Sequence, residues 1–95
     1  MSLQIRFELE RELNKKFFSI HREMMRNMLW EFTNKVKTLL KLMGAEVIAE
    51  KDVSDDEFYR IKLIVEYKGK KFTVEIGEEC FFFPRVYDYY PEFDV

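Results

Sequence analysis

The stretch from Arg11 to Met43 contains neither proline nor glycine, and Leu, Met, Lys, Glu and Arg, which all favour helices, make up much of it. Its hydrophobic residues recur every three or four positions, which predicts one long amphipathic helix. Gly44 follows directly, as is typical of a helix that ends in a residue of left-handed conformation. The remaining segments have the patterns of strands and an aromatic tail, and they need this helix as their core partner.

The predicted helix has one wide hydrophobic face. At 100° per residue, its apolar side chains fall within an arc of roughly 160°. This width favours burial against a sheet or in a dimer over the narrow seam of a two-stranded coiled coil. The residues of this face are Leu13, Phe17, Ile20, Met24, Met28, Phe32, Val36, Leu39 and Met43.

Residues 3–10 alternate strictly between apolar and polar side chains, which is the pattern of a half-buried strand. The competing interpretation extends the helix back to Leu3, because no proline or glycine separates the two segments. In a helical projection, however, Leu3 and Phe7 fall opposite Ile5 and give a poor apolar stripe. The sequence therefore favours an N-terminal strand.

The segments after Gly44 have the pattern of an antiparallel meander. Residues 58–67 and 71–76 alternate apolar and polar side chains, and Lys68-Gly69 between them predicts a tight hairpin. A strand is also predicted at 45–53, a polar turn at 54–57, a possible fourth strand at 80–83 that Pro84 stops, and an aromatic, acidic tail at 85–95.

The two halves of the chain carry opposite net charges. Residues 1–44 contain nine Lys or Arg and five Asp or Glu, whereas residues 45–95 contain seven and thirteen. This split indicates self-complementarity, either within one chain or between chains. The 95 residues predict a single α+β domain, in which the long helix packs on a three- or four-stranded antiparallel meander.

Composition also bounds the classes of function. Cys80 is the single cysteine, and we find neither a signal peptide nor an apolar run long enough to span a membrane, so we expect a cytoplasmic protein. Abundant Glu and Lys with a single Gln are typical of a thermophilic source. Small chains of this type are common among archaeal and viral proteins. No motif predicts a metal site, a cofactor or a catalytic group.

Three segments between Leu39 and Gly77 read LLKLMGAEVI, YRIKLIV and YKGKKFTVEIG. They resemble the helix and three-strand half of the PD-(D/E)XK nuclease core. In that family the middle strand carries a metal-binding Asp, the next strand an acid-x-Lys motif, and the helix often a Glu. The matching positions here are Lys62, Glu75 with Gly77, and Glu31. The resemblance thus implies a related fold that lacks a metal ligand and the catalytic lysine.

A basic stripe and one tryptophan are the candidate interaction residues of the helix. Arg11, Lys15, Arg22 and Arg26 lie within roughly 60° of one another, opposite the apolar face. The stripe could be a solvated polar face, dock an acidic segment of this or another chain, or follow nucleic-acid phosphates. Trp30 lies near this polar side, where the tail could cover it or it could anchor an interface.

The tail supplies the other candidates, since Tyr87, Tyr89, Tyr90 and Phe93 would leave a large apolar patch in water if they were disordered. We expect residues 85–95 to be ordered, to pack against the helix or a second subunit, and to pair their carboxylates with Arg22, Arg26 or Lys37. The sequence therefore favours a small, non-enzymatic protein–protein interaction protein that forms a homodimer. The alternative is a nucleic-acid-associated module with a catalytically degenerate nuclease-like fold.

Overall fold

The computed structural model describes residues 2–91, with side chains from Leu3 onwards. One long helix precedes a four-stranded antiparallel sheet whose strands lie in chain order, so the α+β prediction is confirmed. The elements are helix α1 (Ser2–Leu42), strands β1 (Glu46–Asp52), β2 (Arg60–Tyr67) and β3 (Lys70–Gly77), a 3-10 turn (Glu78–Cys80) and strand β4 (Arg85–Asp88).

Helix α1 runs unbroken from Ser2, so the strand predicted for residues 3–10 is wrong and the competing helical interpretation is correct. Leu, Gln, Arg and Glu in this segment are good helix formers. Once the turns from Arg11 onwards are in place, each added residue fixes one further backbone hydrogen bond, so the helix propagates towards its N-terminus. A period of two in the sequence is therefore not sufficient to specify a strand.

The helix ends in a Schellman motif, as the glycine at its end predicts. Gly44 has a φ of +88°, and the N–H of Ala45 donates to the carbonyl of Leu40 at 2.9 Å. The N–H of Gly44 donates to the carbonyl of Lys41 at 3.1 Å. These bonds satisfy the last carbonyls of the helix and direct the chain into β1.

The central hairpin follows the sequence pattern closely. Ile61, Leu63 and Val65 of β2 are buried on the face that covers the helix, as predicted, together with Val74 and Ile76 of β3. The hairpin turns at Lys68 and Gly69, which both have positive φ. A register shift between Val47 and Ala49 marks a bulge in the edge strand β1.

The sheet packs on a different face of the helix from the predicted one. Leu29, Thr33 and Val36 are the buried helical residues, whereas Met28 and Phe32 of the predicted face are 38% and 41% exposed. The centre of the predicted face lies on the order of 120° around the helix from the line that faces the sheet. Of that predicted face, only Val36 is buried among the described residues.

The buried line of the helix runs through Leu29, Thr33 and Val36, and basic side chains beside it meet carboxylates of the acidic half of the chain. The ion pairs are Arg22–Glu78 at 3.6 Å, Arg26–Asp52 at 3.8 Å and Lys37–Glu50. The helix thus lies with its basic side on the sheet and leaves most of its apolar face uncovered.

The fourth strand begins later than predicted. Residues 80–83 are not a strand, because the chain turns through Phe81 and Phe82, whose φ angles are +52° and +64°. Phe82 is buried and its ring stacks on Phe32 at 5.1 Å between centroids, which holds the turn against the helix. Strand β4 starts only after Pro84 and pairs with β3.

The molecule is strongly elongated. Its principal extents are 66 × 28 × 16 Å, and its radius of gyration is 18.2 Å. A compact domain of this length has a radius of gyration of roughly 12 Å. The difference arises because the sheet covers only the C-terminal half of the helix.

Candidate interaction surface

The N-terminal half of α1 projects beyond the sheet as a helical arm, which we define as residues 3–21. Every side chain of the arm is exposed. Its large hydrophobic residues are Leu3, Ile5, Phe7, Leu9, Leu13, Phe17, Phe18 and Ile20, each between 45% and 67% exposed. Exposed hydrophobic side chains in this number are unusual on a folded chain and are typical of surfaces that contact a protein, a membrane or a ligand.

The apolar surface continues from the arm into a groove beside the sheet. The groove lies between the helix and the 81–84 segment, has a volume of about 440 Å³, and includes Lys35 as a charged residue. Phe81 and Phe83, which are 82% and 74% exposed, form its outer wall. The helical wall consists of Phe32, Lys35, Val36 and Leu39. The arm's apolar stripe consists of Leu3, Phe7, Leu13, Phe17 and Ile20, and Ile5 lies outside it. We refer to this stripe and the groove together as the apolar surface.

A second hollow of about 420 Å³ lies closer to the arm. His21 and Met28 line it on the helix, and Glu78 and Phe81 line it on the opposite side. His21 is exposed, and its ring centroid lies 6.0 Å from that of Phe17. The two hollows follow one another along the same side of the helix, so the apolar surface is continuous from arm to groove.

The accessible surface of the chain is large for its mass. It measures 7506 Å², whereas a compact monomer of 11.7 kDa exposes roughly 5,900 Å². The excess of about 1,600 Å² per chain exceeds the roughly 800 Å² that each partner contributes to a standard protein interface. The chain therefore carries enough surplus surface for an extensive interface.

The predicted basic stripe divides into two parts. Arg22 and Arg26 dock the acidic strand half of the same chain, which is one of the interpretations that the sequence left open. Arg11 and Lys15 lie on the exposed arm, where Lys15 is 3.9 Å from Glu12. The stripe is consequently not a continuous track for phosphates, because half of it contacts the sheet.

Arg22 joins the helix to the start of β2 and to the 3-10 turn. Its guanidinium lies 4.0 Å from the centroid of the Tyr59 ring, and it donates to the carbonyl of Glu57 at 3.2 Å. Glu78 accepts from the backbone N–H of Tyr59 at 2.9 Å while it pairs with Arg22. This half-buried cluster fixes the point at which the arm leaves the sheet.

The loop between β1 and β2 is organised by two carboxylates. Backbone hydrogen bonds from Phe58 and then Glu57 hold the pKa of Asp55 below its ordinary value, and Arg60 adds to the effect. The pKa of Asp52 is lowered by the hydroxyl and then the backbone N–H of Ser54, and also by Arg26. Both groups stabilise the loop as carboxylates.

The remaining predicted interaction residues do not converge on one site. Trp30 is half-buried and packs against the core cluster. Tyr87 and Tyr90 are about half exposed, and Tyr89 lies under Lys71, whose Nζ is 5.7 Å from the ring centroid. Phe93 lies outside the described residues.

Residues 85–88 of the predicted tail form strand β4, which pairs with β3. The expectation that Asp88 pairs with Arg22, Arg26 or Lys37 is wrong, because it pairs with Lys70 at 3.6 Å. The ion pairs predicted for the tail also include those of Glu92 and Asp94, which lie outside the described residues.

The positions that resemble a nuclease core lie apart. Lys62 and Glu75 are paired across β2 and β3, on the face that alternates with the buried Ile61 and Leu63 and so points away from the helix. Glu31 is exposed on the side of α1 that faces away from the sheet. The three side chains therefore do not form a common site, and kinship with the nuclease family stays a hypothesis.

Within residues 2–91, no cluster of three or more His, Cys, Asp or Glu side chains has the geometry to hold a metal ion. No helix in the same residues has the length and hydrophobicity to cross a bilayer. No protein-family model, curated protein or solved structure matches the chain significantly. The apolar surface is thus the feature from which a function can be argued.

Phe81 and Phe83 belong to this surface, although their sequence predicts a strand. Cys80 and the three phenylalanines form an apolar run before Pro84, which is the pattern of a short strand. In the structure, the left-handed turn buries Phe82 and turns its two neighbours outwards. A proline directly after three aromatic residues was the available sign of a turn rather than a strand.

Proposed function

We propose that this protein is a small, non-enzymatic interaction protein that acts as a homodimer, and that its apolar surface is the dimer interface. The observation that carries the proposal is the continuous, uncovered apolar stripe from the arm to the groove. In water such a surface costs roughly 25 cal/mol for each Å² left exposed, so its burial favours association.

A second copy of the chain is the occupant that this surface fits best. The two surfaces of a twofold dimer are identical, and a stripe of apolar side chains on a straight helix is complementary to itself. The surplus of about 1,600 Å² per chain exceeds the roughly 800 Å² that each partner contributes to a standard interface, so the chain has enough surface for a dimer contact.

The chemistry of the groove supports binding rather than catalysis. Seven of its eight lining residues are apolar, and Lys35 is the exception. A pocket for catalysis needs convergent polar groups of matched protonation, which this lining does not supply. The groove is instead of a kind that accepts an apolar helix face.

The dimer is tested by sedimentation equilibrium between about 1 and 100 µM, where a typical interface of this size is largely associated. We expect a dimer for the wild type and a monomer for Phe17→Asp, because that substitution places a charge in the centre of the stripe. Ile5→Asp is the matched control, since Ile5 is also exposed on the arm but lies about 120° around the helix. It should remain dimeric.

A wild-type chain that sediments as a monomer at 100 µM, with normal circular dichroism, would contradict the proposal. Equal effects of Phe17→Asp and Ile5→Asp would also contradict it, because they would show that association does not depend on this face.

A further inference from the structure

We infer that the outer face of the sheet binds single-stranded nucleic acid, with Tyr87 and Tyr89 as stacking platforms for bases and Lys71 and Arg85 as contacts for phosphates. The outer face is the side of the sheet that points away from α1, and Lys62 also lies on it. This surface is separate from the apolar surface, so the inference goes beyond the proposed dimer. A nucleic-acid partner is one of the two hypotheses that the sequence left open, and strand β4 supplies a place for it away from the helix.

The strand register determines which side chains of β4 lie on the outer face. Leu63 of β2 and Val74 of β3 are paired with each other and buried against the helix, so the residues on either side of them point the other way. Val86 pairs with Val74, and its neighbours Arg85 and Tyr87 therefore point away from the helix.

Two tyrosines of the predicted tail share this face. Tyr87 is 46% exposed. Tyr89 follows directly after β4, and the Nζ atom of Lys71, an outer-face residue of β3, lies 5.7 Å from the centroid of its ring. Residues two apart in an extended chain are separated by roughly 7 Å, so the two rings offer neighbouring platforms. Aromatic platforms of this kind hold the bases of single strands without reading their sequence.

A cation lies beside each of the two rings. The guanidinium of Arg85 donates a hydrogen bond to the hydroxyl of Tyr87, and Lys71 lies against the ring of Tyr89. A base that stacks on either ring would bring its own phosphate close to one of these cations. Stacking rings with positive charge next to them are the two elements that binding of a single strand requires.

The carboxylates near the tyrosines are turned away or neutralised. Asp88 of β4 lies on the helix side of the sheet, where it pairs with Lys70 at 3.6 Å. Glu75 is half-buried and lies in one row between Lys62 of β2 and Arg85 of β4, so a cation flanks it on each side. The remaining carboxylates of this face are Glu46 and Glu66, on β1 and β2. The part of the face that holds the tyrosines is therefore basic.

A single strand fits this face better than a duplex does. Each nucleotide of a single strand presents a flat base and one negative phosphate, which match a ring and its adjacent cation. In a duplex the bases stack on one another, so the two tyrosines would have no base to hold.

Fluorescence anisotropy with labelled oligonucleotides tests the site. The probes are single strands of about 15 thymidine or uridine nucleotides, and a DNA duplex of the same length. We expect the full chain to bind at least one of the single strands at about 50 mM salt, more tightly than the duplex, and to bind it more weakly at about 200 mM. Absence of binding to both single strands at the lower salt would overturn the inference, as would tighter binding of the duplex.

Substitution of the tyrosines gives a readout that is specific for stacking. Tyr87→Ala and Tyr89→Ala should each weaken binding by a factor of about 10, because each removes the platform for one base. Tyr89→Phe keeps the ring and should recover most of the affinity that Tyr89→Ala loses. Circular dichroism verifies that each variant is folded. Folded alanine variants that bind as tightly as the wild type would overturn the inference.

Lys70 and Lys71 form a matched pair for the charge, because they are neighbours in β3 that point to opposite faces of the sheet. Lys71→Ala should lower the slope of log affinity against log salt by about one, as expected for the loss of one phosphate contact. Lys70→Ala should leave the slope unchanged. Equal effects of the two substitutions would show that binding follows the overall charge of the chain, which would overturn the assignment to the outer face.

Discussion

At the scale of single residues, Thr33 is the least satisfied member of the core. Its side chain is completely buried between helix and sheet, and its hydroxyl has no hydrogen-bond partner among the described residues. A buried hydroxyl without a partner costs on the order of 1–3 kcal/mol. The site therefore holds a polar atom where an apolar one of the same shape would be more favourable.

Thr33→Val should accordingly raise the free energy of unfolding by about 1 kcal/mol, measured by urea denaturation. Thr38→Val is the matched control, because Thr38 is exposed and its hydroxyl donates to the carbonyl of Asn34 at 3.1 Å. It should change stability by no more than about 0.5 kcal/mol. A Thr33→Val protein that is no more stable than the wild type would show that the hydroxyl is satisfied in solution.

At the scale of elements, the loop that joins β1 and β2 makes the fold sensitive to acid. Asp55 accepts the backbone N–H groups of Glu57 and Phe58, both at 2.8 Å, and pairs with Arg60 at 2.8 Å. Its pKa in the folded chain lies below its ordinary value of 3.8. The carboxylate therefore stabilises the fold fully above that pH, and the contribution is lost as the pH falls through the lower folded pKa.

Asp55→Asn keeps an acceptor oxygen but removes the titrating group. We expect the variant to be less stable than the wild type at pH 7, and the difference to shrink as the pH falls from about 5 to about 3, values on either side of the ordinary pKa of 3.8. Urea denaturation at a series of pH values measures this. A difference that stays constant with pH would show that Asp55 contributes through shape rather than charge.

The elements also show what the sequence could and could not predict. The central hairpin was predictable because alternation in Ile61, Leu63 and Val65 reports burial directly. Which side of the helix meets the sheet was not, because periodicity reveals an apolar face without identifying what covers it. The buried line runs through Leu29 and Val36, and the sheet residues that cover it come together only after the sheet has formed.

The candidate surface was predictable to a similar extent. The sequence shows the apolar stripe and predicts that either a sheet or a second subunit covers it. Its extension through residues 3–10 was hidden, since their alternation favoured a strand. The outward positions of Phe81 and Phe83 depend on a left-handed turn at Phe81 and Phe82, where the sequence has no glycine to indicate such a turn.

At the scale of the whole molecule, the arm is a helix without tertiary support in a single chain. Isolated helices in water are marginal unless their length exceeds roughly 12–15 residues, and even then they are only partly formed. The sheet contacts the other half of α1, so in the proposed dimer the second copy would bury the arm. Helix formation in the arm should therefore be linked to dimerisation.

Dilution to concentrations below the dissociation constant of the dimer should reduce the circular dichroism signal of the helix at about 222 nm. The loss should reach up to roughly half of the signal from α1, because the arm is about half of that helix. Limited trypsin digestion should then cut first in the arm, at Arg6, Arg11, Lys15 and Lys16. The monomeric Phe17→Asp variant should show both properties at every concentration. First cleavage at Lys70 or Lys71 in the β-hairpin would contradict this link.

The projecting arm has a consequence for how such a protein would persist in a cell. Proteases engage unfolded segments, and a chain whose arm folds only when paired is most open to them when it is scarce. Its lifetime would then lengthen as its own abundance rises. A gradual rise in the rate of synthesis would then produce a steeper rise in the steady-state concentration of the protein, because unpaired chains with an unfolded arm are degraded first.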